Sequence, residues 1–82
     1  MDKKTEKQLL QKEVGTFCKN YREDVLKMTL QELAIDSDMN YKTLYSFENG
    51  QSSNLHILYI YYNRSFEQLE FITDLIKVLK RL

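Results

Sequence analysis

The sequence predicts an all-α protein, a compact domain of five helices, and three observations carry that prediction. Proline is absent and glycine occurs only twice in 82 residues, so few positions interrupt or bend a helix. Apolar residues recur every three or four positions over most of the chain. Threonine, serine and asparagine stand directly before several of these periodic runs, where such residues cap helix N-termini. A chain this short buries about 60–65% of its unfolded surface, which fits one domain and not two.

The elements follow in order. From Thr5 to Tyr21, the residues Leu10, Val14, Phe17 and Tyr21 make the apolar stripe of an amphipathic helix. Gly15 sits inside it at a cost of about 1 kcal/mol relative to alanine, so close packing is expected there. The stretch Glu23-Asp24-Val25-Leu26-Lys27-Met28 reads as a loop. Thr29 with Glu32 forms a capping box that starts a helix, and Asp36-Ser37-Asp38 ends it after about two turns. Asn40 caps a second short helix, Tyr41 to Glu48, closed by Asn49-Gly50, where glycine suits a left-handed cap. The run from Leu55 to Tyr62, LHILYIYY, has strand-like composition. With no second strand-like run to pair its backbone, it reads as a helix. Ser65 with Gln68 makes another capping box, and Phe66, Leu69, Ile72, Leu75, Ile76, Leu79 and Leu82 continue a helical stripe to the C-terminus.

Composition excludes several classes. The 12 basic and 12 acidic side chains balance, whereas a freestanding nucleic-acid-binding domain usually carries a basic excess. Residues 1–18 hold four basic and three acidic side chains, residues 19–64 five and six, and residues 65–82 three and three. One cysteine and one histidine cannot build a structural zinc site, and Cys18 reads as a small core residue in a reducing compartment. The N-terminus is charged, without the apolar core of a signal peptide. The longest apolar run falls far short of the roughly 20 residues of a membrane span. A cytoplasmic protein is expected, with no membrane partner and no cofactor. For catalysis, His56 has no nucleophile beside it, Asp36 and Asp38 bring too few oxygen ligands for a cation, and no phosphate-binding glycine loop exists. The expectation is that the chain is not an enzyme.

The two short helices and their turn carry more. Val14-Gly15 in the first helix, Tyr21-Arg22 at its end, Thr29 followed by Leu33-Ala34, and Phe47-Glu48-Asn49-Gly50 stand in a fixed order and spacing. In these residues the chain resembles the phage lambda repressor-like helix-turn-helix family (Cro/repressor, or XRE-type) over residues 14–62. Three positions depart from the family pattern: Asp38 stands where the turn usually has glycine, Leu30 where a glutamine usually follows the capping threonine, and the connection after Arg22 is one residue longer. The resemblance implies that Arg22 and Glu48 form a partly buried ion pair.

On a helical wheel Leu44 and Phe47 fall on one side of the second helix, suited to pack on Leu33, Ala34 and Tyr21. Tyr41, Lys42, Tyr45, Ser46 and Asn49 lie on the opposite arc. The resemblance implies a transcriptional regulator, a repressor of phage or mobile-element type, that binds double-stranded DNA at a palindromic operator through residues 41–48 in the major groove. Tyr41, Lys42 and Tyr45 would then read base edges, with Thr29, Gln31, Asn40, Ser46, Asn49 and Ser52 near phosphates. The plainer readings are half-buried aromatics for the tyrosines and a solvated charge for Lys42. A rival function is a helix-turn-helix that binds a protein partner, as an antirepressor, antitoxin-like regulator or host-defence inhibitor, and the charge of residues 19–64 favours it.

The C-terminal segment, residues 65–82, has more apolar surface than one stripe. Phe66, Leu69, Ile72, Leu75, Ile76 and Leu79 are the expected homodimer interface, which would set two recognition helices about one DNA turn, roughly 34 Å, apart. The alternative is that this helix folds back on the first through Phe17.

Overall fold

In the computed structural model, which describes residues 3–82, local caps decide where the helices begin. The chain runs as α1 (Lys3–Tyr21), a π-helical segment (Arg22–Leu26), α2 (Leu30–Ser37), α3 (Tyr41–Glu48), α4 (Leu55–Arg64) and α5 (Gln68–Lys80), with no strand among the described residues. At the head of α2 the Thr29 hydroxyl accepts the Glu32 N–H (3.1 Å), while the Glu32 carboxylate accepts the Thr29 N–H (2.8 Å), completing the capping box. The side chains of Asn40 and Asn54 accept the N–H groups of Lys42 and His56, each at 2.8 Å, and so cap α3 and α4. Helix α2 ends where Asp38 takes the left-handed conformation at φ 55°, which a short polar side chain adopts at modest cost.

Two local expectations are corrected. The stretch after Arg22 is not a loop, because the backbone continues from α1 as a π-helix to Leu26. It is closed by Lys27, at φ 57°, whose N–H reaches back to the Arg22 carbonyl. The wider π turn takes up one residue more than an α turn would hold. The capping box at Ser65 and Gln68 does not form. Ser65 is engaged at the end of α4, where both its N–H (3.1 Å) and its hydroxyl (2.6 Å) donate to the Tyr62 carbonyl. Helix α5 therefore starts two residues later than that cap would place it, after Glu67, without a side-chain cap.

The core gathers one face from each helix. Leu33 and Ala34 of α2 meet Leu44 and Phe47 of α3, and Ile57, Ile60 and Tyr61 of α4 close over them. Phe47 and Tyr61 stack with ring centroids 5.9 Å apart. Helix α5 folds back along α1, placing Phe71 between Phe17 (5.2 Å) and Tyr21 (5.0 Å, edge to face). Leu75 is a correction to the expected interface, since it is buried in this core and is not part of an outer seam. The wheel explains why: Leu75 shares its arc with Phe71, the residue that docks on α1. Phe66, Leu69, Ile72, Ile76 and Leu79 remain exposed.

Gly15 is required by a close crossing. A Cβ there would lie 2.3 Å from the Phe47 carbonyl oxygen and 2.8 Å from that of Glu48, so α1 runs directly over the end of α3. Gly50, at φ 77°, leaves α3 against the Lys12 backbone, 2.7 Å from where its Cβ would be. Gly15→Ala gains helix propensity of about 1 kcal/mol but overpacks two backbone carbonyls. A net loss of about 1–3 kcal/mol is expected from urea unfolding. A midpoint at or above that of the parent chain would contradict the crossing.

Candidate nucleic-acid interface

A helix can present one face reliably only if its other face is held, and α3 is held by charge as well as by packing. Glu48 lies at its C-terminal end, where the helix dipole disfavours an anion, and its carboxylate is buried. Arg22 answers that charge with a bidentate pair, Nε to Oε2 at 2.9 Å and Nη2 to Oε1 at 3.0 Å, the side chains being 6% and 2% exposed. The third donor of the guanidinium, Nη1, donates to the Met28 carbonyl at 2.8 Å. Tyr61 adds its hydroxyl to Glu48 Oε2 at 2.6 Å.

The network therefore ties the end of α1, the lead into α2, the end of α3 and the middle of α4, and no buried side-chain nitrogen or oxygen among the described residues lacks a partner. The hydrogen bond to Glu48 raises the Arg22 pKa against the opposing effect of burial. Burial first, and then donation to Glu48, push the Tyr61 phenol well up. Burial, with the nearby Glu48 charge, does the same to the Cys18 thiol.

The sequence pointed to Arg22 and Glu48 but missed Tyr61 as the third member. The signal was present: Tyr61 shares the Ile57 and Ile60 face of an apolar run, and a buried tyrosine needs a partner for its hydroxyl.

Above this support, α3 turns Tyr41 and Tyr45 outward, 48% and 51% exposed, with their rings stacked 6.3 Å apart at 20°. Lys42 is exposed beside them. The other candidate contacts are partly committed. Asn40 caps α3, the Asn49 amide donates to the Tyr45 carbonyl (2.8 Å), and Ser46 is half-buried. Thr29, Gln31 and Tyr41 come together around an open groove between α2 and α3, which Leu30, Ala34, Ile35, Asp38 and Met39 also line. Ile35 is 74% exposed there, an apolar residue that sequence reasoning did not single out. Ser52 lies apart from this set, in a second groove with Leu10, Leu55 and Leu79. His56 is exposed near the start of α4.

No known protein family, curated protein or solved structure matches the chain. Among the described residues no group of three or more histidine, cysteine, aspartate or glutamate side chains is placed to hold a metal. No described helix is long and apolar enough to cross a membrane.

The charge around α3 is mixed. Arg64 is paired with Asp36 across α4 and α2. Lys19, Lys27 and Lys42 are exposed in residues 19–64, as are Glu23, Asp24, Glu32 and Asp38. The Glu32 carboxyl is held below the ordinary carboxylate range by the Thr29 N–H and then the Thr29 hydroxyl. It thus stays ionised at the N-terminus of α2, where a phosphate would otherwise be welcomed.

Two outcomes follow from the buried network. Arg22→Met strands the Glu48 carboxylate and is expected to cost about 3–5 kcal/mol of stability, against about ±0.5 kcal/mol for Lys80→Met on the surface. Equal unfolding midpoints for the two variants would show that the pair carries no such weight. Cys18, buried and poor in thiolate, is expected to resist a thiol-specific chromophoric disulfide at pH 8 until denaturant is added. Rapid labelling of the folded chain would contradict that protection.

Proposed function

We propose that the chain is a sequence-specific DNA-binding regulator of transcription, built on a lambda repressor-like helix-turn-helix formed by α2 and α3. The observation that carries this reading is the outer arc of α3. Tyr41, Lys42 and Tyr45 stand out from a helix whose opposite side, Leu44 and Phe47, is buried and whose end is locked through Glu48. A helix of this size enters the major groove with its N-terminal residues at base edges. Lys42 donates to guanine or to phosphate, and the tyrosines offer a ring for thymine methyl groups and a hydroxyl for hydrogen bonding. The resemblance over residues 14–62 supports the same assignment and suggests a repressor of phage or mobile-element type. Because affinity grows with the phosphates neutralised, a charge-balanced chain gains most by engaging a palindromic operator as two copies.

A second reading is that the same face binds a protein. The specific observation in its favour is the composition of the groove beside α3, where Leu30, Ile35, Met39 and Tyr41 line the surface together with Asp38 and without a cation.

Selection of bound duplexes from a random pool separates the two, since the DNA reading expects an enriched palindrome and the protein reading expects none. On the selected site, Tyr45→Ala is expected to lose about 1–3 kcal/mol of base discrimination. Lys42→Ala should weaken binding and, where it meets a phosphate, lower the salt slope by about one. Unchanged affinity and preference in both variants would remove α3 as the reading element.

A further inference from the structure

A groove of about 280 Å³ opens between the π-helical segment and the first turns of α5. Its bed is aromatic: Phe71 is buried and meets the Tyr21 ring edge to face at 5.0 Å. Val25 and Phe66 flank that bed and are 40% and 74% exposed, so apolar surface there faces water. The rest of the lining is acidic, Glu67, Glu70 and Asp74, and none of the described lysines or arginines lines it. The three carboxylates share one arc of α5, three and four residues apart, and so follow the groove for about 10 Å. Glu67 and Glu70 have no ion-pair partner among the described residues, and Asp74 has only the exposed Lys77 at 3.8 Å.

The dipole of α5 favours acidic residues anywhere in its first turn. It does not ask that they border an apolar groove, and Asp74 lies beyond that turn. A carboxylate rim has the wrong sign for a phosphate backbone, which sets this groove apart from the Tyr41 and Tyr45 arc. A basic peptide has the complementary chemistry. Its lysine and arginine side chains meet carboxylates at their tips and lay their stems, or a guanidinium, over aromatic rings. A free polyamine would answer the carboxylates but brings no apolar side chain to cover Val25 and Phe66.

We infer that the groove between the π-helical segment and α5 is a docking site for a basic segment of a partner protein. Cations of that segment meet Glu67, Glu70 and Asp74, and an apolar side chain between them rests on Val25 and Phe66. The inference does not depend on DNA binding through α3, and its test contains no DNA.

The probe is a short fluorescein-labelled peptide in which pairs of lysines flank single leucines, titrated with the full chain and read by anisotropy. Saturable binding that weakens with added salt is expected. Glu70→Lys is expected to weaken it about tenfold. Glu6→Lys, the same charge change in the first turn of α1, should alter it by less than about twofold. Phe66→Ala should also weaken it, whereas spermine at the same concentration of charge should not displace the peptide. Glu6, Phe66 and Glu70 are exposed, so each variant should keep the helical circular dichroism of the parent. No binding by the parent chain, equal losses in Glu70→Lys and Glu6→Lys, indifference to Phe66→Ala, or displacement by spermine would each overturn the assignment.

Discussion

The buried Glu48 carboxylate is the constraint around which the rest of the molecule is arranged. An anion at the C-terminal end of a helix, removed from water, is unfavourable on both counts. It is tolerated because Arg22 and Tyr61 satisfy it with three hydrogen bonds. Those partners come from the end of α1 and from α4, so satisfying one carboxylate fixes three helices relative to one another. The third Arg22 contact, to the Met28 carbonyl, sets where the chain enters α2. Removing any one partner leaves a buried polar atom exposed to no solvent, which is why the arrangement has little freedom to relax.

The α1 geometry follows from the same requirement. To deliver Arg22 onto Glu48, α1 crosses the end of α3 so closely that only glycine fits at position 15. Past Arg22 the backbone widens into a π turn, and Lys27 reverses it in the left-handed region. That reversal brings Met28 back within reach of the guanidinium and hands Thr29 its capping position. A second left-handed residue, Asp38, reverses the chain again between α2 and α3. The outer arc of α3 is thus what remains after every other side of the helix has been committed to the core.

Much of this was legible in the residues, for physical reasons that can be named. The boundaries of α2 and α3 were clear because their caps are side chains acting on the backbone two or three residues away, and such signals are local. Leu55 to Tyr62 read correctly as a helix because a lone strand has no partner, an argument from the whole chain. The failures were of another kind. The π turn depends on a long-range demand, the reach of Arg22 to Glu48, that no local pattern records. Ser65 had two possible uses, opening α5 or closing α4, and spacing alone does not choose between them. Leu75 was counted with the outer seam of α5 although it lies four residues from Phe71, on the arc that docks against α1.

Helix α5 keeps its charges and its exposed apolar residues on different arcs. Acidic residues in its first half and basic residues in its second complement the helix dipole, and Lys77 stands 3.8 Å from Asp74 within the helix. The dipole therefore accounts for the order of the charges. It does not account for the exposed row of Leu69, Ile72, Ile76 and Leu79, uncharged side chains on which the dipole makes no demand.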